Sequence, residues 1–348
     1  MQPTKAYAAL DSKSPLVPFQ FDRRDLRPDD VQVEILYCGV CHSDLHQARD
    51  EWGGSIYPMV PGHEIVGKVT RVGANVKNFK AGDLAGVGVM IDSCRTCKNC
   101  QADLEQYCEQ GMTGTYNGLE RDGQSIAQGG YSSQIVTDQK FVLRISDKLD
   151  LKAVAPLLCA GITTYSPLRY AKVTKGTKVG IIGLGGLGHM GLKFAHSFGA
   201  EVTLISSSPS KEKDAKRLGA SRFLLSSDKE QMKKSYGYFD VLLNTVSANH
   251  DYEPYLNLLG LNGTMLIVGL PSQPPTLHPF NLLANRRSIT GSMIGGIKET
   301  QEMLDYCAEK NIVSDVEVIR IQEINTAYER MLKNDVRYRF VIDLKSLG

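Results

Sequence analysis

The sequence predicts an α/β protein in two parts: a β-rich part with irregular loops, and a doubly wound parallel sheet. Three observations predict it. Up to about Ala155, segments alternate apolar and polar residues at strand period between glycine turns. After Asp150, short apolar strands alternate with helical patterns, as in parallel β-α units. Between one such strand and its helix lies a glycine-rich turn at 183–188. At 348 residues the chain is also too long for one ordinary core, so two domains are expected.

In the first part, VQVEIL at 31–36 and IVGKVTRVG at 65–73 read as strands, and Gly82 with Asp83 as a turn. Residues 92–130 read as a loop rich in Cys, Gly, Asn and Asp. A loop that long is unusual in a compact domain unless something ties it down. In the second part, KVGIIG at 178–183 is a buried strand, followed by a helix pattern at 189–198. VTLI at 202–205, a helix pattern at 211–218, FDVLLN at 239–244 and TMLIVG at 264–269 continue the alternation. The tail offers a helix at 300–311 and strands at 316–320 and 340–344, and its pattern does not say which domain it joins.

Composition is that of a soluble globular protein, 42% hydrophobic and 22% charged. A net charge of +2 without a basic block argues against a nucleic-acid partner. No apolar run is long enough to span a bilayer, and the start, MQPTK, lacks the apolar core of a signal peptide. Together with metal-type cysteine spacing, this points to a reducing, cytoplasmic setting and away from a disulfide framework.

Cys94, Cys97, Cys100 and Cys108 read C-x2-C-x2-C-x7-C. Four thiolates close a tetrahedral zinc and leave no room for substrate, so the expected role is to order the loop. A zinc-ribbon module or a redox switch are the alternatives. A ribbon is normally a small separate domain among basic residues, and only Arg95 and Lys98 lie inside this loop. A second group is Cys41, His63 with Glu64 beside it, and the distant Cys159. Two thiolates and an imidazole leave one zinc position open, and an open zinc does chemistry. Spacing alone does not join these residues, because cysteine is also a common core residue. Cys38 and Cys307 read as core.

Gly183, Gly185 and Gly188 fit G-x-G-x-x-G, with Leu184, Gly186 and Leu187 completing the loop. The first glycine turns the chain, the second lets backbone approach a pyrophosphate, and the third lets helix pack on strand. The helix N-terminus then faces the phosphates. The next strand ends in Ser206, Ser207 and Ser208, with Lys211 following, where an NAD site would carry Asp or Glu. Hydroxyls and a lysine suit a 2′-phosphate, so NADP(H) is the expected cofactor. Capping of the following helix is the other use for these serines.

GVCHSDLH at 39–46, PGHE at 61–64, the four-cysteine loop, CAGIT at 159–163 and the glycine loop occur in this order. That order resembles the zinc-dependent medium-chain alcohol dehydrogenases, in their cinnamyl-alcohol-dehydrogenase-like branch, over essentially the whole chain. The resemblance implies two zinc ions per chain. Cys41, His63 and Cys159 would hold the catalytic one, with Glu64 able to exchange with water beside it. Asp44 would orient the ligand histidine. Ser43, where many relatives have threonine, and His46 would relay protons. Thr163 would pack near the nicotinamide, Ser206, Ser207 and Lys211 would hold the 2′-phosphate, and Val268 would line the cofactor site. Arg339, on a loose alignment, would approach the pyrophosphate. Trp52, Tyr57 and Met90 stand where relatives line the substrate pocket, although simple packing explains them equally well.

The family fold implied is a GroES-like β-rich catalytic domain at 1–153 and 293–348, with a Rossmann cofactor domain inserted at 154–292. Relatives in the branch are usually homodimers that pair the edges of their cofactor sheets, so a homodimer is expected. The implied reaction is reversible hydride transfer between NADP(H) and primary alcohols or aldehydes, with no nucleic-acid or membrane partner. Three alternatives stand beside it. An NAD-dependent polyol or secondary-alcohol dehydrogenase is disfavoured by the missing acid at Ser206. The zinc-free quinone reductases are disfavoured by Cys41, His63 and Cys159. A zinc-dependent binding or redox-sensing protein would show no turnover at all.

Overall fold

The computed structural model describes residues 2–348, which divide into two compact units. The first runs to Cys159 and resumes at Gly295, and the second is Ala160–Ile294. Both divisions fall slightly later in the chain than the sequence reading placed them. Residues 155–158 form a short helical turn whose side chains are all buried, and it packs on the strands of the first unit.

The first unit is built on a seven-stranded sheet. Its order is Leu143–Arg144, Leu84–Val87, Ile65–Val72, Asp30–Gly39, Arg339–Asp343 and Val316–Arg320, with Gln134–Asp138 also on Asp30–Gly39. The long strand Asp30–Gly39 is therefore shared. Its first half pairs antiparallel with Gln134–Asp138 and its last residues with Arg339–Asp343. The alternation read at 31–36 has its cause here: Val31, Val33 and Ile35 are buried in one core with Ile65, Ile135, Phe340 and Ile342. The tail that pattern could not assign belongs to this unit, because Arg339–Asp343 finds its partner in that strand, far back in the sequence. Gln2–Ala8 and Val17–Arg23 form a separate antiparallel hairpin.

The segment read as a loop at 92–130 holds several short elements. They include the helix Lys98–Gln101 and the strand pairs Met90–Asp92 with Thr113–Gly114 and Gly118–Leu119 with Ile126–Ala127. It is docked on the start of the helix Ile297–Lys310. Glu105 accepts from the Ile297 N–H at 3.1 Å, and Lys298 pairs with Asp103 at 3.0 Å. A side chain at Gly296 would meet the Asp103 carbonyl oxygen at 1.9 Å, so this contact requires glycine.

The second unit carries a six-stranded, wholly parallel sheet. Its order is Arg222–Leu225, Glu201–Ser206, Lys178–Ile182, Phe239–Asn244, Leu259–Ile267 and Ser288–Gly291. By order of appearance the strands run 3-2-1-4-5-6, the doubly wound dinucleotide-binding arrangement. The central strands read as continuous apolar runs because helices cover both faces of such sheets. Strand order reverses between Lys178–Ile182 and Phe239–Asn244, the place where such sheets receive ligands. The helix Ala160–Tyr170, not foreseen from pattern, opens this unit and carries Thr163. Among the described residues no helix is long and apolar enough to cross a membrane.

Candidate metal centres and nucleotide site

Two groups of metal-ligand atoms converge among the described residues, both in the first unit. In each, every ligand atom lies within 4.8 Å of the others.

Cys94, Cys97, Cys100 and Cys108 form the first group. The backbone wraps around the sulfurs. Cys94 N–H donates to Cys108 Sγ at 3.3 Å, Cys97 N–H to Cys94 Sγ at 3.3 Å, and Cys100 N–H to Cys97 Sγ at 3.5 Å. Backbone N–H groups of Thr96 and Cys97 pull the Cys94 thiol down to about 6, while burial pushes Cys100 up to about 11. The Cys94 and Cys100 sulfurs stand 3.9 Å apart. Two thiolates on one tetrahedral zinc, each about 2.3 Å from it, lie about 3.8 Å from each other. The cluster therefore fits a closed zinc.

The second group is Cys41, His63, Glu64 and Cys159. Cys41 caps the helix His42–Ala48, and His63 and Glu64 immediately precede the strand Ile65–Val72. Cys159 ends the turn at 155–158. Cys41 Sγ and Cys159 Sγ are 4.0 Å apart, again the separation of two thiolates sharing a metal. The hydrogen bond shared by the two thiols holds Cys41 well below its ordinary value, and the same contact raises Cys159.

His63 is oriented by Asp44, whose Oδ1 accepts from its Nδ1 at 3.0 Å. This leaves Nε2 as the metal-facing nitrogen. Burial opposes a charge on His63, but Asp44 and Cys41 together outweigh it and hold the imidazole well above its usual range. Tyr116 stacks on the His63 ring, with centroids 5.8 Å apart.

Glu64 is fully buried, and burial pushes its carboxyl up to about 7 against the pull of Arg339. Arg339 donates to Glu64 Oε1. Glu64 Oε2 has no hydrogen-bond partner, which suits an oxygen able to turn toward a metal. Space for the carboxylate comes from Gly39, where a Cβ would sit 1.9 Å from Oε2. Sequence reading brought Arg339 toward a pyrophosphate; here it is buried against Glu64. No sequence signal pairs these two, because the contact depends on strand Arg339–Asp343 lying beside Asp30–Gly39.

Ser43 places its hydroxyl 3.6 Å from Cys41 Sγ. His46, on the same helix, has Nδ1 bonded to Glu51, and Trp52 covers its ring at 5.1 Å. Trp52 is 48% exposed. Tyr57 gives its hydroxyl to the Ala48 carbonyl at 2.9 Å, and Met90 is buried in the strand Met90–Asp92.

In the second unit the glycine loop meets each demand of its pattern. Gly183 has φ +89°, a region that favours glycine. A Cβ on Gly185 would face open space, so the backbone there is approachable. A Cβ on Gly188 would strike the Gly183 carbonyl oxygen at 2.1 Å, so only glycine lets this helix pack so close. Leu184 lies between strand and helix, and Gly186 and Leu187 open the helix Gly186–Ser197. Ser206 ends its strand, Ser207 is exposed, and Lys211 closes the turn Pro209–Lys211. Ser208 N–H donates to Ser206 Oγ at 3.2 Å, so this serine also shapes its own turn. Val268 follows the strand Leu259–Ile267, with its N–H on the Asn244 carbonyl at 3.1 Å. Thr163 is buried in the helix Ala160–Tyr170.

Fold and ligand sets define a class, and the family models agree with it. The alcohol dehydrogenase GroES-like domain matches residues 27–147, and the zinc-binding dehydrogenase domain matches residues 186–309. The chain belongs to the zinc-dependent medium-chain alcohol dehydrogenases, in the cinnamyl-alcohol-dehydrogenase-like branch. It is 54% identical to NADP-dependent alcohol dehydrogenase C 1 of Mycolicibacterium smegmatis, covering 100% of this chain and 99% of that one. It is 53% identical to the aldehyde reductase YahK of Escherichia coli, covering 99% of each. Its fold matches a cinnamyl alcohol dehydrogenase of Sorghum bicolor with a TM-score of 0.96 and 45% identity, over 99% of this chain and 98% of the other.

Proposed function

We propose that this chain is an NADP-dependent zinc alcohol dehydrogenase, working as a broad aldehyde reductase that interconverts primary alcohols and aldehydes, aromatic, cinnamyl-type or aliphatic. The observation that carries this reading is the convergence of Cys41, His63 and Cys159 into an incomplete tetrahedral set beside a complete one. The activities for which the relatives are named, NADP-dependent alcohol dehydrogenase and aldehyde reductase, support it.

Two zinc ions are proposed per chain: a structural one on Cys94, Cys97, Cys100 and Cys108, and a catalytic one on Cys41, His63 and Cys159. Bound there, zinc supplies a Lewis acid for the substrate oxygen, and NADP(H) supplies or accepts the hydride. The protein's own groups manage geometry and protons. Asp44 fixes the His63 tautomer. The Ser43 hydroxyl, beside Cys41, passes a proton at Oγ to or from the substrate oxygen, and His46 exchanges it with solvent. Glu64, neutralised by Arg339, stands ready as an alternative oxygen ligand. In the cofactor unit Gly183, Leu184, Gly185, Gly186, Leu187 and Gly188 cradle the pyrophosphate. Ser206, Ser207 and Lys211 take the 2′-phosphate, and Thr163 and Val268 flank the nicotinamide half.

Loss of nicotinamide absorbance with an aromatic aldehyde, run in parallel with NADPH and NADH, tests the reading. Rapid turnover with NADPH and little with NADH is expected. Faster turnover with NADH would move the protein to the NAD-dependent alternative, and none with either, in zinc-loaded protein, would refute the reductase.

A homodimer is proposed through the cofactor unit. The strand Ser288–Gly291 is the sheet edge, and Leu261, Phe280 and Leu283 in the same unit are strongly exposed. Exposed apolar side chains and an unpaired sheet edge in one unit call for a cover. Sedimentation velocity is expected to give twice the chain mass of 38.3 kDa, and a monomer at micromolar concentration would rule the dimer out.

A further inference from the structure

Asp44 is a fully buried carboxylate, and no arginine or lysine pairs with it among the described residues. A buried charge of this kind persists only when donors saturate it. Four do. Oδ1 accepts from Gly62 N–H at 3.1 Å and from His63 Nδ1 at 3.0 Å. Oδ2 accepts from Cys41 N–H at 2.9 Å and from the Tyr131 hydroxyl at 3.1 Å. Three of these donors belong to the metal-binding segments themselves. The fourth reaches in from a separate loop.

We propose that Tyr131 is a positioning residue for the open metal site, acting through Asp44 on His63 and Cys41 together. This rests on the reading of Cys41, His63 and Cys159 as zinc ligands. The placement of Tyr131 is built in. Its side chain is fully buried, its N–H donates to the Pro61 carbonyl, and its carbonyl accepts from Tyr7 N–H, both at 2.9 Å. Gly62, with φ +105°, makes room for the ring: a Cβ there would meet Tyr131 Cδ1 at 2.7 Å. The same glycine donates its N–H to Asp44, so one residue both bonds the carboxylate and admits the tyrosine that completes it.

Without the hydroxyl, Oδ2 keeps only the Cys41 N–H. A carboxylate short of one of four donors is held less firmly, and the bonds it keeps are those that set the His63 ring and the Cys41 backbone. Partners bonded directly to the ligands, as Asp44 is to His63, typically account for about ten- to a hundred-fold in metal affinity, and Tyr131, one bond further out, is expected at the lower end of that range. Gly62 and Tyr131 are distant in sequence, and neither residue type announces a metal site.

The test is Tyr131→Phe in the full zinc-loaded chain, which keeps the ring that fills the space beside Gly62. Zinc release to a chelator is followed with time, and the visible spectrum of the cobalt-substituted protein is recorded. The four-cysteine zinc serves as an internal standard. The expected result is up to about ten-fold weakening at the open site alone, a shifted cobalt spectrum, and unchanged release from the four cysteines. Wild-type release from both sites would overturn this inference and leave the proposed function standing. Equal acceleration at both sites, with a lowered melting temperature, would show a merely structural tyrosine and also overturn it. Wild-type protein that binds no zinc through Cys41 would sink both readings, which separates that failure from the other two.

Discussion

Cys41→Ala is expected to leave one zinc fewer per chain and to lower kcat/KM for aldehyde reduction by about four orders of magnitude or more. A Lewis acid on the reacting oxygen contributes several kcal/mol to the transition state, and each 1.36 kcal/mol is tenfold in rate. Cys41 is the most exposing place to test this. Its sulfur lies at one corner of the open set, 4.0 Å from Cys159. Its backbone N–H holds Asp44, which orients His63. Alanine keeps that N–H and removes only the sulfur, so the fold and the four-cysteine zinc should survive. Elemental analysis with steady-state kinetics decides the matter, and full activity in the variant would refute the site.

Lys211→Ala should raise KM for NADPH about ten-fold and change KM for NADH by no more than about two-fold. A charge-assisted bond to phosphate contributes about 1.5–3 kcal/mol, and partial exposure of Lys211 argues for the lower end. The NADPH effect should shrink as salt is added, because an exposed pair is screened. Ser206 and Ser207 keep part of the site in the variant, so preference for NADPH should weaken without inverting. Equal losses for the two coenzymes would remove Lys211 from the phosphate site.

What could be read in advance follows from chemistry that restricts residue type. Four cysteines in one short loop have few uses, and the three glycines each answer a separate steric demand. Those demands reappear as a positive φ at Gly183, open space at Gly185 and a 2.1 Å clash at Gly188. The parallel, doubly wound class of the second sheet was legible because strands alternate with helices there, whereas its strand order emerges only from the assembled sheet. Other features depend on pairings that no local pattern encodes. The tail joins the first unit through antiparallel pairing of Val341 with Gly39. Arg339 comes to Glu64, and Tyr131 to Asp44, only after that sheet and its loops are assembled. Cys41, His63 and Cys159 sit between these cases. Their types suggest metal, but joining them required the order of motifs, because no spacing rule spans Cys41 to Cys159.

The insertion of one unit within the other sets an order on synthesis. Residues 160–294 are continuous and can fold as soon as they leave the ribosome. The unit that holds both cysteine groups cannot. Glu64 waits for Arg339, 275 residues later, roughly 14–55 s at about 5–20 residues per second. During that interval a carboxylate destined for burial has no cation, and six ligand thiols are made before the sheet around them can close. A nascent chain in this state holds reactive sulfur without shelter. Early capture of zinc by the four-cysteine loop, whose ligands span only residues 94–108, would protect four of those thiols before the last strand arrives.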